Sequence, residues 1–236
     1  INGDEVVVSP GLYRGAVIMP GVDITLRSEA PANPEVVSRT ILDGSGHGPV
    51  VSFQGKESES CVLAGFTIQS GKALQDGGGI FGGRTFGEVN RATIRDCIIR
   101  NNTAGHLGGG VYGCRGLLID NTIISNSASG GGGLANCYGK IQNNLIAGNA
   151  ALEGGGGLHY CQAEITNNTI VDNKATVGGG LLYCRELVRN SIVWGNRAAY
   201  SPQILESSVP SYSCIENWTG GGEGNIRDDP LFTTGP

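Results

Sequence analysis

An internal repeat of 23 to 24 residues constrains this 236-residue chain more than any other feature. Two apolar positions, five residues apart, recur in each unit with steps of 24, 23, 24 and 23 residues. The first set is Ile94, Leu118, Ile141, Ile165 and Val188. The second set is Ile99, Ile123, Ile146, Ile170 and Val193. Such a unit is too short for a helix-pair repeat or a propeller blade, and the spacing of leucine-rich repeats is absent.

Within each unit, β-branched residues alternate with polar ones and are punctuated by Asn and Gly, which predicts short strands joined by turns. We therefore predict coils of three strands and three turns, each strand pairing in parallel about 4.8 Å from the coil before it. The predicted fold class is all-β, a right-handed parallel β-helix solenoid with about 23 to 24 residues per coil.

One domain is expected over residues 1–236. Its predicted parts are N-terminal coils over 1–60, regular repeats over 61–199, and an irregular C-terminal coil and cap over 200–236. The step between Ile68 and Ile99 is 31 residues, so a protruding loop is predicted over 84–90.

Asn residues recur at a fixed place in every unit. Because Asn tolerates left-handed backbone and stacked Asn side chains can hydrogen-bond along the axis, this ladder predicts a tight turn in each coil. Its members are Asn102, Asn126, Asn149, Asn173 and Asn196. A second polar pair predicts another turn, at Asp96-Cys97, Asp120-Asn121, Asn143-Asn144, Asn167-Asn168 and Asn190-Ser191. A third turn is predicted from runs of three glycines, which contain many of the 41 glycines and end at Gly110, Gly133, Gly157 and Gly180.

Cysteines form a further ladder at Cys114, Cys137, Cys161 and Cys184, each four residues before an interior aliphatic residue. Because side chains along a strand alternate between its two faces, a residue four positions before an interior residue is predicted to point inward as well. Spread along a line about 14 Å long, four thiols cannot converge on one zinc ion, and parallel side chains in register are poorly oriented for a disulfide. We predict a buried stack of reduced cysteines. Cys61, Cys97 and Cys214 have no partner in this ladder, and the odd total of seven argues against a complete disulfide framework.

Charge and hydropathy exclude two classes of partner. The net charge is -5 and the isoelectric point is about 5.2, so there is no basic stripe for nucleic acid. No apolar run approaches the length that crosses a bilayer. The chain begins at Ile1 without a signal-peptide pattern, which predicts a mature or excised fragment.

Several segments together resemble bacterial right-handed β-helix repeat proteins of the pectin-lyase-like superfamily. They include TILDGSG at 40–46, CVLAGFTIQSG at 61–71, NNTIVDNKATVGGGL at 167–181 and YSCIENWTGGGEGNIRDDPLF at 212–232. The resemblance covers essentially the whole chain and implies the β-helix fold and a secreted or cell-surface location. It does not fix an activity, because this superfamily includes lyases, hydrolases, esterases and adhesins.

A lyase of this superfamily needs acidic residues that hold calcium, and a glycosidase needs facing carboxylates. The only acidic residues aligned on successive units are Asp96 and Asp120, and Asn replaces them in later units, which indicates a turn role. The sequence therefore identifies no catalytic residue and no metal site. It predicts no cofactor, except calcium under the lyase alternative.

Two groups of residues remain as candidate binding sites. Asp76, Arg84, His106 and Glu153 are predicted to line a cleft beside the 84–90 loop. His159 and Tyr160, with Tyr183 one coil later, predict an exposed surface on which a sugar ring could stack. The favoured function is a non-catalytic extracellular or cell-surface module that presents a face or loops to a polysaccharide or protein. The alternative is a carbohydrate-active enzyme, either a polysaccharide lyase or a glycoside hydrolase.

Overall fold

The computed structural model describes residues 1–83 and 90–233. In those residues nearly all regular structure is β, arranged as four parallel sheets that run along one axis. The coils pass in turn through sheet 1, sheet 2 and sheet 4, and four successive coils also contribute a strand to a short sheet 3 between sheets 2 and 4. The predicted right-handed parallel β-helix is confirmed.

The four sheets are named in the order in which a coil enters them. Sheet 1 contains Glu5–Val8, Thr25–Ser28, Val62–Ala64, Thr93–Arg95, Leu117–Ile119, Lys140–Gln142, Glu164–Thr166 and Val188–Arg189. Sheet 2 contains Gly11–Arg14, Thr40–Asp43, Thr67–Gln69, Ile98–Arg100, Thr122–Ile124, Leu145–Ala147, Thr169–Val171, Ile192–Trp194 and Cys214–Ile215. Sheet 3 contains Lys72–Ala73, Thr103–Ala104, Ser127–Gly130 and Ala150–Gly154. Sheet 4 contains Val17–Ile18, Val51–Ser52, Ile80–Phe81, Val111–Tyr112, Leu134–Ala135, Leu158–His159, Leu181–Leu182 and Ile204–Leu205.

Sheet 3 corrects the prediction of three strands per coil. Its strands lie just before the glycine runs, where the sequence predicts only a turn. An inward column of alanines forms its buried side at Ala73, Ala104, Ala128 and Ala151. Because alanine adds little hydrophobic contrast to a glycine-rich segment, this strand leaves a weak pattern in the sequence.

Both apolar ladders pair in register as predicted. Ile94, Leu118, Ile141, Ile165 and Val188 are stacked in sheet 1 and are at most 1% exposed. Ile99, Ile123, Ile146, Ile170 and Val193 are stacked in sheet 2 and are fully buried. Burial of each such side chain stabilises the fold by about 1.5–3 kcal/mol. Beyond Ala199, the strands Ile204–Leu205 and Cys214–Ile215 add to sheets 4 and 2 in the same register.

The Asn ladder is hydrogen-bonded along the axis. Asn126 Nδ2 donates to Asn149 Oδ1 at 3.1 Å and to the carbonyl of Ile99 at 2.9 Å. Asn149 repeats the pattern with Asn173 and Ile123. The ladder Asn is not itself the left-handed residue, which corrects the prediction. The left-handed residues directly precede it and are Asn101, Ser125, Gly148, Asp172 and Gly195.

The cysteine ladder is confirmed as buried, and its members form no disulfide with one another. Cys114, Cys137, Cys161 and Cys184 are at most 1% exposed, and all are free thiols. Each of the last three follows a left-handed residue, and its thiol donates to the carbonyl two residues earlier, at 3.5–3.6 Å. Desolvation by burial raises the pKa of Cys114 to about 12, so its thiol stays protonated. Cysteine therefore occupies at this corner the inward place after a left-handed residue that Asn occupies at the corner between sheets 2 and 3, but its thiol bonds within its own coil.

A single short helix, Pro34–Arg39, lies among the described residues between sheets 1 and 2 of the N-terminal coils. Asn33 caps it by accepting a hydrogen bond from the Glu35 amide at 3.0 Å. Val37 is buried, and its carbonyl accepts a hydrogen bond from the Thr67 hydroxyl at 3.0 Å. The helix covers the outer face of sheet 2 at Thr67.

Candidate functional site

The structure brings Asp76 and His106 into contact on the outer edge of sheet 3. Asp76 Oδ1 accepts hydrogen bonds from His106 Nδ1 and from the Leu107 amide, both at 3.1 Å. The His106 side chain is 67% exposed, whereas that of Asp76 is 11% exposed. An apolar groove of about 400 Å³ lies beside Asp76 and includes Leu74 and Phe81. Arg84, which is also predicted here, and residues 85–89 of the predicted 84–90 loop lie outside the described residues.

His159 lies in the outer column of sheet 4, yet it is only 8% exposed. Its buried Nδ1 has no hydrogen-bond partner in the described part of the chain. A Cβ at Gly130 would come within 2.5 Å of that nitrogen, so glycine is what leaves room for the imidazole ring. Desolvation lowers the pKa of His159; the nearby Cys161 and Glu153 raise it, and His106 lowers it. The predicted residues His106 and Glu153 therefore each lie within electrostatic range of His159.

Tyr160 and Tyr183 stack on each other where sheet 4 turns into sheet 1. Their ring centroids are 4.7 Å apart with an interplanar angle of 18°, and His159 lies 4.5 Å from the Tyr160 ring. The predicted aromatic and imidazole cluster exists. However, only the tyrosines reach the surface, with Tyr160 45% exposed, while the imidazole is buried beneath them.

Both tyrosines occupy left-handed backbone, with φ values of 50° for Tyr160 and 56° for Tyr183. This conformation costs a non-glycine residue about 1–2 kcal/mol. The preceding coils place Gly113 and Asn136 at the same position, residue types that favour it. The energetic cost therefore falls on a tyrosine pair of which Tyr160 is exposed and Tyr183 is partly buried.

A groove beside this corner was not predicted from the sequence. Its floor is Gly116 and Gly139, where successive coils approach so closely that a Cβ at Gly139 would lie 1.8 Å from the Gly116 carbonyl oxygen. Residues just before and just after these glycines form the two walls. Two contiguous cavities, of about 460 and 410 Å³, share Gly139 and Lys140 and together run parallel to the axis. We call this feature the axial groove.

The axial groove has a different charge at each end. The end nearer the N-terminus is lined by Arg91, Arg115 and Lys140 with one acidic residue, Glu59. The other end is lined by Glu164 and Glu186, together with Tyr138 and Gln162. Lys140 Nζ lies 3.4 Å from Glu164 Oε2 where the two ends meet, and both side chains are at least half exposed. Such a pair contributes little to stability.

The ring of Tyr138 packs against Arg115 and holds its side chain in the groove. The Arg115 guanidinium lies over its ring, 4.5 Å from the centroid. On the same corner, Gln162 Nε2 donates to the Tyr183 carbonyl at 2.7 Å. Tyr160 and Gln162 flank the inward-pointing Cys161, so the tyrosine stack and the axial groove lie on opposite sides of one corner.

The aligned acidic pair has the turn role that the sequence predicts. Asp96 and Asp120 both take left-handed backbone, with φ of 54° and 56°. Asp96 also lies 2.6 Å from Arg95 Nη1. Within residues 1–83 and 90–233, no three His, Cys, Asp or Glu side chains are placed to hold a metal ion. No helix in that part of the chain is long and apolar enough to span a membrane.

The profile of the family described as right-handed beta helix region matches residues 27–222. The chain belongs to the right-handed β-helix family. No curated protein and no solved structure matches the chain significantly. The family membership of this β-helix agrees with its stacked parallel sheets and leaves its activity to be inferred from its surface.

Proposed function

We propose that this β-helix is a non-catalytic extracellular or cell-surface module that binds an extended glycan along the corner between sheets 4 and 1. The observation that carries the proposal is the Tyr160–Tyr183 stack, which is exposed at Tyr160 and is held in left-handed backbone beside the axial groove. Aromatic faces offer apolar area to the C–H faces of sugars, while the charged and amide groups of the groove can bond to hydroxyl groups.

The geometry suits a polymer better than a small ligand. Residues from Arg91 to Gln162 line the groove over four successive coils, which corresponds to about 14 Å along the axis at about 4.8 Å per coil. A groove open along this length leaves both ends of a chain free to continue. Because the β-helix backbone is hydrogen-bonded from coil to coil, the binding groups are held in place before the ligand arrives.

A binding measurement with matched variants tests the proposal. Purified protein is titrated calorimetrically with neutral and acidic oligosaccharides of six or more sugars. Tyr160→Ala combined with Tyr183→Ala is expected to weaken binding about ten-fold or more, because stacking area is lost. Tyr200→Ala is the control, since Tyr200 is 70% exposed and lies outside the aromatic cluster. Equal affinities of the two variants would contradict the assignment of this corner.

A second candidate function, glycan cleavage, is supported by the hydrogen-bonded Asp76–His106 pair beside its own groove. A carboxylate-supported imidazole can act as a general base. The same oligosaccharides are therefore incubated with the protein while double-bond absorbance and reducing ends are followed. Turnover that is lost in Asp76→Asn and retained in the double tyrosine variant would replace the binding proposal with an enzymatic one.

A further inference from the structure

Two arginines stand in register at the basic end of the axial groove. Arg91 and Arg115 each lie three residues before a paired interior residue, Ile94 and Leu118, so they occupy equivalent places on neighbouring coils. The Arg115 amide also donates to the Asn90 carbonyl at 3.0 Å, which ties the two turns together. Their backbones are therefore separated by about one coil spacing, about 4.8 Å.

Neither guanidinium forms a salt bridge with another residue of the described chain. Arg115 is held over the Tyr138 ring, and stacking of this kind leaves the N–H groups at the guanidinium edge free to donate. Lys140 lines the same cavity from the opposite wall, one coil further along. Arg91 and Arg115 therefore face one carboxylate in this cavity, Glu59, and Lys140 is shared with Glu164 at the boundary between the two ends. In a protein with a net charge of -5, this end of the groove is a local concentration of positive charge.

We propose that this end of the groove is a subsite for a sulfate ester of a sulfated glycan. The inference rests on the proposed glycan-binding function and names the chemical class of its ligand. A sulfate ester presents three terminal oxygens around one centre, and two guanidinium groups and one ammonium group can each donate to a different oxygen. A planar carboxylate presents two oxygens in one plane and matches three donors that converge from different directions less closely.

The acidic end of the groove sharpens this specificity. Glu164 and Glu186 lie on the far side of Lys140 and repel a polymer that carries an anionic group on every sugar. A glycan whose sulfate groups are separated by neutral sugars places one group among the cations and leaves uncharged rings beside the carboxylates. Sparse sulfation is therefore preferred to a continuous polyanion.

The test compares four probes: inorganic sulfate, a sulfated galactan hexasaccharide, the same hexasaccharide after desulfation, and an oligogalacturonate of equal length. The sulfated hexasaccharide is expected to bind about ten-fold or more tightly than either of the other oligosaccharides. Its binding is expected to weaken as salt rises. Equal binding of the sulfated and desulfated forms would overturn the sulfate subsite and leave glycan binding intact.

Substitutions of the two arginines test whether they cause the preference for the sulfated form. Arg91→Gln combined with Arg115→Gln is expected to weaken binding of the sulfated form much more than binding of the desulfated form, so that the ten-fold preference falls to about two-fold or less. Arg197→Gln is the control, because Arg197 is an exposed arginine at the edge of sheet 3. If the control lowers the preference as much as the double variant does, the attraction is a property of the whole surface and the subsite is refuted.

The outcomes separate this inference from the function on which it rests. Loss of binding to every oligosaccharide in the Tyr160 and Tyr183 variant, with the sulfate preference absent in the unaltered protein, supports glycan binding and rejects the subsite. A preference for the oligogalacturonate over the sulfated hexasaccharide also rejects it. If no oligosaccharide binds and only inorganic sulfate does, both the subsite for a glycan and the glycan-binding function fail.

Discussion

Two corners of the β-helix use the same backbone turn for different purposes. At the corner between sheets 2 and 3, a left-handed residue precedes a buried Asn whose side chain bonds to the next coil. At the corner between sheets 4 and 1, a left-handed residue precedes a buried Cys, and the outward residues change from coil to coil. The first corner has Asn in successive coils because each Asn side chain hydrogen-bonds to the Asn of the next coil. The second keeps only its inward thiol constant, and its outward positions are free to carry tyrosine, glutamine and arginine.

The largest expected loss of stability is at the corner between sheets 2 and 3, where the Asn ladder lies. Asn149→Ala removes the bonds to Ile123 and Asn173 and leaves the Asn126 amide without its acceptor, so buried polar groups lose their partners. The free energy of unfolding is expected to fall by about 3 kcal/mol or more. Urea denaturation followed by circular dichroism measures it.

Cys161→Ala is the matched change at the other corner. It removes one weak hydrogen bond to the His159 carbonyl and one buried sulfur, so a loss of about 1 kcal/mol is expected. If the two variants lose the same stability, the distinction between an amide ladder that stabilises the fold and a thiol ladder that fills space does not hold.

An intermediate effect is expected at Gly130. Ala at this position would bring its Cβ into the His159 ring, and the resulting strain is expected to cost about 1–3 kcal/mol. Because His159 lies beneath the Tyr160 ring, the near-ultraviolet circular dichroism signal of the tyrosines should change as well. Adding His159→Ala to Gly130→Ala should recover stability relative to Gly130→Ala alone, and a purely additive loss would show that the imidazole is not what the glycine accommodates.

The smallest effect is a pH dependence centred on His159. Burial lowers its pKa from the usual 6.5, so the unfolded chain takes up this proton more readily than the folded one. The groups that face it are Glu153, His106 and Cys161, together with the two tyrosine rings. Its contribution to stability is therefore present above pH 6.5 and is lost as the pH falls below that value.

Denaturant unfolding between pH 7.5 and pH 5 measures this dependence. His159→Gln should flatten the decline in unfolding free energy, whereas His106→Gln, at an exposed side chain, should leave it in place. A decline of the same slope in both variants would assign the pH dependence to other groups.

The sequence predicts the core of this β-helix more completely than its surface. Ile123 and Ile146 could be placed in one ladder from their spacing, because a parallel strand without a register slip stacks residues one repeat apart. The Asn126–Asn149 bond followed from the same spacing. The left-handed residue was misassigned, because both Asn101 and Asn102 are compatible with that conformation and only the hydrogen bonds show that Asn102 points inward.

The axial groove shows why the surface could not be predicted in the same way. Arg115, Tyr138 and Lys140 have no shared motif, and they meet only because the glycines between them bring adjacent coils together. The sequence predicts His159 at the surface because it lies beside Tyr160 and one coil before Tyr183. The structure buries it, because Gly130 lets the neighbouring sheet edge pack against its ring.

By itself, the sequence determined the coil length, the interior ladders and the reduced cysteine stack, since each follows from a local pattern repeated at a fixed period. Only the tertiary structure decided which residues at different places in the repeat come into contact, such as His106 with Asp76 and His159 with Gly130. The physical reason is that interior positions are selected by burial in every coil, whereas a surface site depends on directions and distances between side chains that no period encodes.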